Sequence, residues 1–360
     1  MKYRAPLSFL VAALFALSAS PALAEDWESP PFYGEDVALE EECLPEGWSL
    51  VEDSAGKPDP APQAKVNELA AAAKIGSEYV TFASQLLKDG DGNLVTLVLV
   101  DVDQDPKDLT GPVKAAALAA GWGYAELGNP SRFVLAVGEE KARQTALKTQ
   151  REAAVNALAR AATKKLGRQA GNPTQAAKLA RAALAIAPDA ASPHAILGLV
   201  KADGLGINKD VEAWEEAVKE FRLAFKANAP HAPEGVLAQE ALGTYGLALL
   251  QRKDPERDKE ARDALKRAVA LGKSGSGLKP VWVHQYNLAC AHSRLGEKAD
   301  ALRELEGSLE LAKEDPPGRD FERFVKNDVA GDEDFAPLKD DPAFQEVLKK
   351  ALAGSSSDGV

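Results

Sequence analysis

Residues 282–311 read Trp-Val-His-Gln-Tyr-Asn-Leu-Ala-Cys-Ala-His-Ser-Arg-Leu-Gly-Glu-Lys-Ala-Asp-Ala-Leu-Arg-Glu-Leu-Glu-Gly-Ser-Leu-Glu-Leu. The stretch reads as two antiparallel helices with Gly296 in the turn between them. Ala289, Ala301 and Ser308 are small and fall where the two helices must touch, while Leu288 and Leu305 are large enough to fill the gap. A helix pair this short cannot bury its apolar face alone, so it requires neighbours of the same kind.

Those neighbours are visible upstream. Ala176, Ala180 and Ala183, followed by Pro188, lie at second-helix spacing behind a turn at Gly171. Ala217, Phe221 and Ala224 form the next second helix, with Leu197-Gly198 on its first helix. Ala261, Leu265 and Ala268 form a third, with Leu242-Gly243 before it. The leading alanines of these second helices stand at 176, 217, 261 and 301. The extra length between them falls in loops, such as the one holding Gly204-Leu-Gly206, where closure entropy grows only slowly with length. Downstream, Asp332-Glu-Asp-Phe-Ala-Pro-Leu-Lys-Asp-Asp-Pro-Ala-Phe-Gln-Glu-Val-Leu348 reads as an acidic turn and a last helix that would close the final pair.

Over roughly residues 140 to 350 this pattern resembles the tetratricopeptide repeat family, and the tail resembles the ending of many bacterial members. The resemblance implies an α-solenoid whose work is binding other proteins or peptides. It also implies which residues would line the concave groove. These are the fifth and ninth residues of each first helix, namely Ala195 and Leu199, Glu240 and Thr244, and Tyr286 and Cys290, with Arg294 one turn further. Asn287 takes the position between. The Lys and Asn pattern with which some members clamp a terminal carboxylate is missing, which puts that ligand mode in doubt.

The front of the chain is different. Lys2 and Arg4, an apolar run from Leu7 to Leu17, and Ala22-Leu-Ala24 before Glu25 have the form of a secretory signal over 1–24. The expectation is export to the periplasm or beyond, with cleavage between Ala24 and Glu25 and no membrane span in the mature chain. Residues 25–45 are acidic and hold no Lys or Arg, with Trp27, Pro30, Pro31, Phe32 and Tyr33 interspersed. They read as an extended lead, or as a segment that docks its aromatics on the body.

Residues 46–138 read as β-α-β-β-α-β-β. Strands are expected at 48–51, 79–82, 94–100, 122–127 and 133–137, helices at 64–74 and 106–120, and a hairpin turn at Asp89-Gly-Asp-Gly-Asn93. This suggests a small antiparallel sheet with helices on one face, a ferredoxin-like α/β sandwich. A charged helix from 139 reads as the link, with the first repeat helix, up to 171, and the repeats and their cap occupy 172–352. The fold class is therefore α+β.

The charge narrows the partners. The whole chain carries −12, and removing Lys2 and Arg4 with the signal takes it to −14. Nucleic acid and anionic membrane surfaces are poor matches, and a protein or peptide of basic or mixed charge is a better one. Two cysteines, Cys43 and Cys290, either tie the lead to the last repeat or stay unpaired, Cys290 then behaving as a small buried hydrophobe.

Motifs with a chemical look dissolve on inspection. Asp89, Asp91 and Asn93 open like a calcium loop, but Leu94 and Val100 stand where the loop needs Gly and Glu. Asp101, Asp103 and Asp105 fail in the same way at Pro106 and Pro112. Gly272-Lys-Ser-Gly-Ser-Gly277 lacks the phosphate-binding Lys and follows a helix rather than a strand. His194, His231, His284 and His292 form no metal-ligand pair at helical spacing. No catalytic residue, metal or cofactor is expected. The reading is a binding scaffold, with an enzyme or small-ligand sensor in the α/β part as the rival.

Overall fold

The computed structural model describes residues 39–40, 43–51, 57–103, 107–129, 131–166, 171–203, 205, 211–273, 277–314 and 321–353. The expected signal, its cleavage site and most of the acidic lead lie outside them. The chain divides into two compact units. One holds the described residues up to Lys165 together with Gln175–Pro193, and the other holds Leu166, 171–174 and the described residues from His194 on.

The first unit is built on an antiparallel sheet. Its strands are β1 (Ser49–Leu50), β2 (Val80–Lys88), β3 (Leu94–Val102), β4 (Gly123–Asn129) and β5 (Arg132–Gly138), in the order β1-β2-β3-β5-β4. Helix α1 (Ala61–Ala72) precedes β2, and α2 (Lys107–Ala119) joins β3 to β4. The element order is the one the β-branched runs and turn residues predict. The pairing differs from a ferredoxin-like sheet, which interleaves two β-α-β units. Here β5 sits between β3 and β4, so one such unit is split by an inserted strand, but β1 pairs directly and antiparallel with β2 across α1.

β3 shows why the helices could not all lie on one face. Val95 to Val100 are buried without a break, so both faces of that strand are covered. Val98, Val100 and Val102 join Phe133 and Leu135 under Val66 and Ala70 of α1 and Leu109, Val113 and Ala117 of α2. Leu99, on the opposite face, lies with Ala154 and Leu158 of α3 (Glu140–Lys165). The helix read as a link is therefore a layer of the sheet unit. Its charged surface hides an inner stripe that includes Ala142, Ala146, Ala154, Leu158 and Ala162. Helix α4 (Pro173–Ile186) ends against it, where Arg151 Nη2 donates to the Ile186 carbonyl at 2.7 Å. The acidic lead is also anchored at its end: Leu39 is 2% exposed, and its N–H and C=O both bond the amide of Gln85 at 2.9 Å.

The second unit is helical. From His194 it contains the rest of α5 (Ala191–Ala202), then α6 (Val211–Ala224), α7 (Gly235–Leu250), α8 (Pro255–Lys273), α9 (Trp282–Arg294) and α10 (Lys298–Glu314). One apolar core runs through them, and the alanines singled out in the sequence, Ala217, Ala261, Ala289 and Ala301, are all fully buried in it. Helices touch where glycine permits. A Cβ at Gly198 would stand 2.5 Å from Phe221, and one at Gly246 would stand 2.3 Å from Leu265. In α7 the small residue under the second helix is thus Gly246, not Gly243 as the Leu-Gly pattern implies. Gly243 faces His284 of α9 instead.

Beyond α10 a helical turn (Phe321–Arg323) runs into a π-helical turn (Phe324–Val329), a 3-10 turn (Glu333–Leu338) and the last helix α11 (Pro342–Ala353). Asp332 starts the 3-10 turn by accepting from the Asp334 N–H. Phe324, Phe335 and Phe344 are fully buried, and Phe335 meets Tyr286 edge-on at 5.7 Å between ring centres. These residues cover the apolar side of α9 that Tyr286 presents.

Candidate functional site

Most of the residues expected to line a groove serve as interior instead. Ala195, Leu199, Tyr286 and Cys290 are buried in the apolar core. Glu240 and Thr244 are half-buried. Arg294 is half-buried and fully engaged. Its Nε donates to Asp334 at 2.8 Å, and its Nη1 donates to the Leu250 carbonyl at 2.7 Å and to Asp258 at 3.1 Å. Asn287 is buried as well. Residues 332–335 impose the interior role on Tyr286, Cys290 and Arg294.

Under that segment Cys290, Asp332 and Asp334 bring ligand atoms within 4.8 Å of one another. Their chemistry does not suit an ion. Burial pushes the Cys290 thiol well above its ordinary value, with the Asp332 charge adding to the effect, so the sulfur keeps its proton. Asp332 accepts from Tyr286 at 2.7 Å and Asp334 pairs with Arg294, so protein donors already meet both carboxylates. A second group, His292, Glu297 and Asp300, is likewise consumed by ion pairs to Arg262 and Arg303 and by a bond within the group. Both cysteines are free thiols.

The acidic turn at 89–93 explains its own carboxylates. Asp89 accepts from the N–H groups of Asp91 and Asn93 and from the Asn93 amide, which shapes a hairpin turn. Asp101 pairs across the sheet with Arg132 at 2.9 Å, while Asp105 lies outside the described residues. That ion pair borders a cavity of about 80 Å³ between sheet and α3, lined by Thr81, Ala83, Leu99, Leu127, Ala154 and Leu158. It is small beside the several hundred Å³ of a typical ligand or cofactor site. Within Gly272–Gly277, residues 274–276 also lie outside the described set.

A wider opening lies in the helical unit. Two hollows of about 780 and 440 Å³ meet at Phe225 and Arg267, between the end of α6, the front of α7 and the back half of α8. The connecting loop frames them. Asn228 and His231 hold left-handed backbone there, at φ 59° and 52°, a conformation those two residue types tolerate better than most. Small residues, Ala227, Ala229, Ala232 and Pro233, leave the hollow open on the loop side, and Ala238, Leu242 and Leu271 form its apolar floor.

Aromatic and charged groups are stacked in order along one wall. Phe221 lies 5.5 Å from Tyr245, Tyr245 stacks on Phe225 at 6.1 Å and 20°, and Arg267 lies over the Phe225 ring at 5.4 Å from its centre. Next to them Arg222 forks onto Glu260 at 2.8 and 3.2 Å, and Tyr245 donates to the same carboxylate. Burial first, and then the Glu260 carboxylate beside it, raise the Tyr245 hydroxyl above its ordinary value, so it remains a donor. Sequence reasoning missed this site. Phe225 and Arg267 are 42 positions apart, and the only local signal is the Ala- and Pro-rich loop after Phe225.

Comparison of the chain with protein-family models, with curated proteins and with solved structures finds no match.

Proposed function

We propose that this chain is an exported tetratricopeptide-like protein whose helical unit binds a short peptide segment of another protein. The cleft at Phe225 and Arg267 carries the proposal. It has the volume of a ligand site, an apolar floor, and an Arg stacked on an aromatic wall, the two residue types that most often dominate binding energy. The helix pairs give the rigid frame on which such a cleft keeps its shape, and the secretory pattern at 1–24 supports action outside the cytoplasm.

The cleft lies beside the second helices α6 and α8 rather than on the face that the family resemblance would favour. The test is direct. Fluorescein-labelled pools of random hexapeptides are titrated against the mature chain and against Ala232→Trp, which puts an indole into the hollow from an exposed loop position. Saturable binding that Ala232→Trp abolishes, with an unchanged melting temperature, supports the reading. No saturable binding, or equal binding by a folded Ala232→Trp, removes it.

A further inference from the structure

We infer that the cleft takes a peptide segment in which an acidic side chain adjoins small apolar residues, and that Arg267 is the anchor for the carboxylate. This rests on the peptide-binding reading above and names its chemistry. The chain as a whole is strongly acidic, so its average charge points to a basic ligand. The lining of the cleft points the other way.

The two carboxylates that line the smaller hollow with Arg267 each have a cation. Glu260 is held by Arg222, and Asp263, one turn before Arg267 on α8, pairs with Arg262 at 2.9 Å. Among the described residues none lies within ion-pair distance of Arg267 or of Lys226. Both are exposed, and both line the larger hollow.

The Arg267 guanidinium is also held in place. It lies over Phe225, which is stacked in turn on Tyr245, whose hydroxyl is fixed on Glu260. A planar guanidinium supported on one face keeps its edge free for a two-point bond to a carboxylate and loses little freedom in forming it. Lys226 adds a second positive charge to the same hollow and opposes a basic side chain. The remaining walls, Ala224, Ala229, Pro233, Leu242 and Leu271, offer contact to small apolar groups and few hydrogen bonds. An anion of this kind therefore finds two cations, Arg267 and Lys226, beside a largely apolar surface.

The test uses the full mature chain and three hexapeptide pools that differ at one fixed central position, Glu, Gln or Lys. Wild type is expected to bind the Glu pool about tenfold more tightly than the Gln pool, with the Lys pool weakest. In Arg267→Gln the Glu–Gln gap should shrink to about twofold or less, with no change in melting temperature, since Arg267 is exposed. Equal binding of Glu and Gln pools by wild type, or a gap that survives Arg267→Gln, overturns the acidic assignment while leaving peptide binding intact. Absence of saturable binding by all three pools overturns both.

Discussion

Tyr286 donates its hydroxyl to Asp332 at 2.7 Å, although 46 residues separate them and the tyrosine is only 1% exposed. The bond ties the middle of α9 to the segment before the last helix. Burial first, and then the Asp334 charge, raise the Asp332 carboxyl above its ordinary range, which measures how little water helps it. Tyr286→Phe keeps the ring contacts with Phe324 and Phe335 and removes only this donor. It should cost about 1–3 kcal/mol, the penalty for leaving a buried acceptor short of a partner. Urea melts of the two proteins decide it, and coincident midpoints would show that the bond contributes nothing.

Arg294 should matter more. It answers two carboxylates from different elements, Asp258 of α8 and Asp334 of the segment before the last helix, and its side chain is 13% exposed. Arg294→Met retains most of the stem packing and strands both acids. A loss of about 3 kcal/mol is expected. Asp334→Asn should cost less, because the guanidinium keeps Asp258 and the Leu250 carbonyl. Equal losses in the two variants would refute this ordering.

What the sequence disclosed follows from what is local. The strands at 94–102 and 132–138 announce themselves through runs of Val, Leu and Ala between turn residues, and the helix pairs through alanines at regular spacing. Which face of a helix is covered is not local. Tyr286 and Arg294 look like surface anchors until residues 332–335 fold over them. The helix at 140–165 is rich in charge on average, so its buried alanine stripe is diluted below notice, and only the doubly covered β3 shows that a layer was needed there. The cleft was hidden for a similar reason. Phe225, Tyr245 and Arg267 come from α6's end, α7 and α8, and their stacking exists only after those helices pack.

Close helix contact makes a sharper test, because glycines differ in what surrounds them. A methyl at Gly198 would stand 2.5 Å from the buried Phe221 ring, and one at Gly243 would stand 2.2 Å from the buried His284 ring. Each Gly→Ala change there should destabilise by about 1–3 kcal/mol despite the better helix propensity of Ala. A methyl at Gly111 in α2 would meet nothing within 4 Å outside its chain neighbours, but Pro112 follows it and crowds a Cβ on a helical residue before it. Gly111→Ala should therefore be close to neutral, the propensity gain of about 1 kcal/mol being offset by the contact with Pro112. Urea melts of the three variants give the comparison. A Gly198→Ala or Gly243→Ala no less stable than Gly111→Ala would contradict the packing described for that helix.

His284 sets the last expectation. Its ring is enclosed, its Nδ1 has no hydrogen-bond partner, and burial alone pulls its pKa from 6.5 to about 4. The folded protein therefore holds this imidazole neutral where the unfolded chain would protonate it. The unfolded state binds the extra proton as pH drops from 6.5 toward 4, so stability is constant above that window and falls within it. At about pH 5 the loss from this one group is about 2 kcal/mol relative to about pH 7.5. His284→Leu removes the titration and also the unsatisfied nitrogen, while keeping an apolar group of similar size against Gly243. Urea midpoints at the two pH values, for wild type and variant, give the comparison. The wild-type drop should exceed the variant's by roughly that 2 kcal/mol, and parallel drops would mean that His284 is protonated in the folded state at about pH 5.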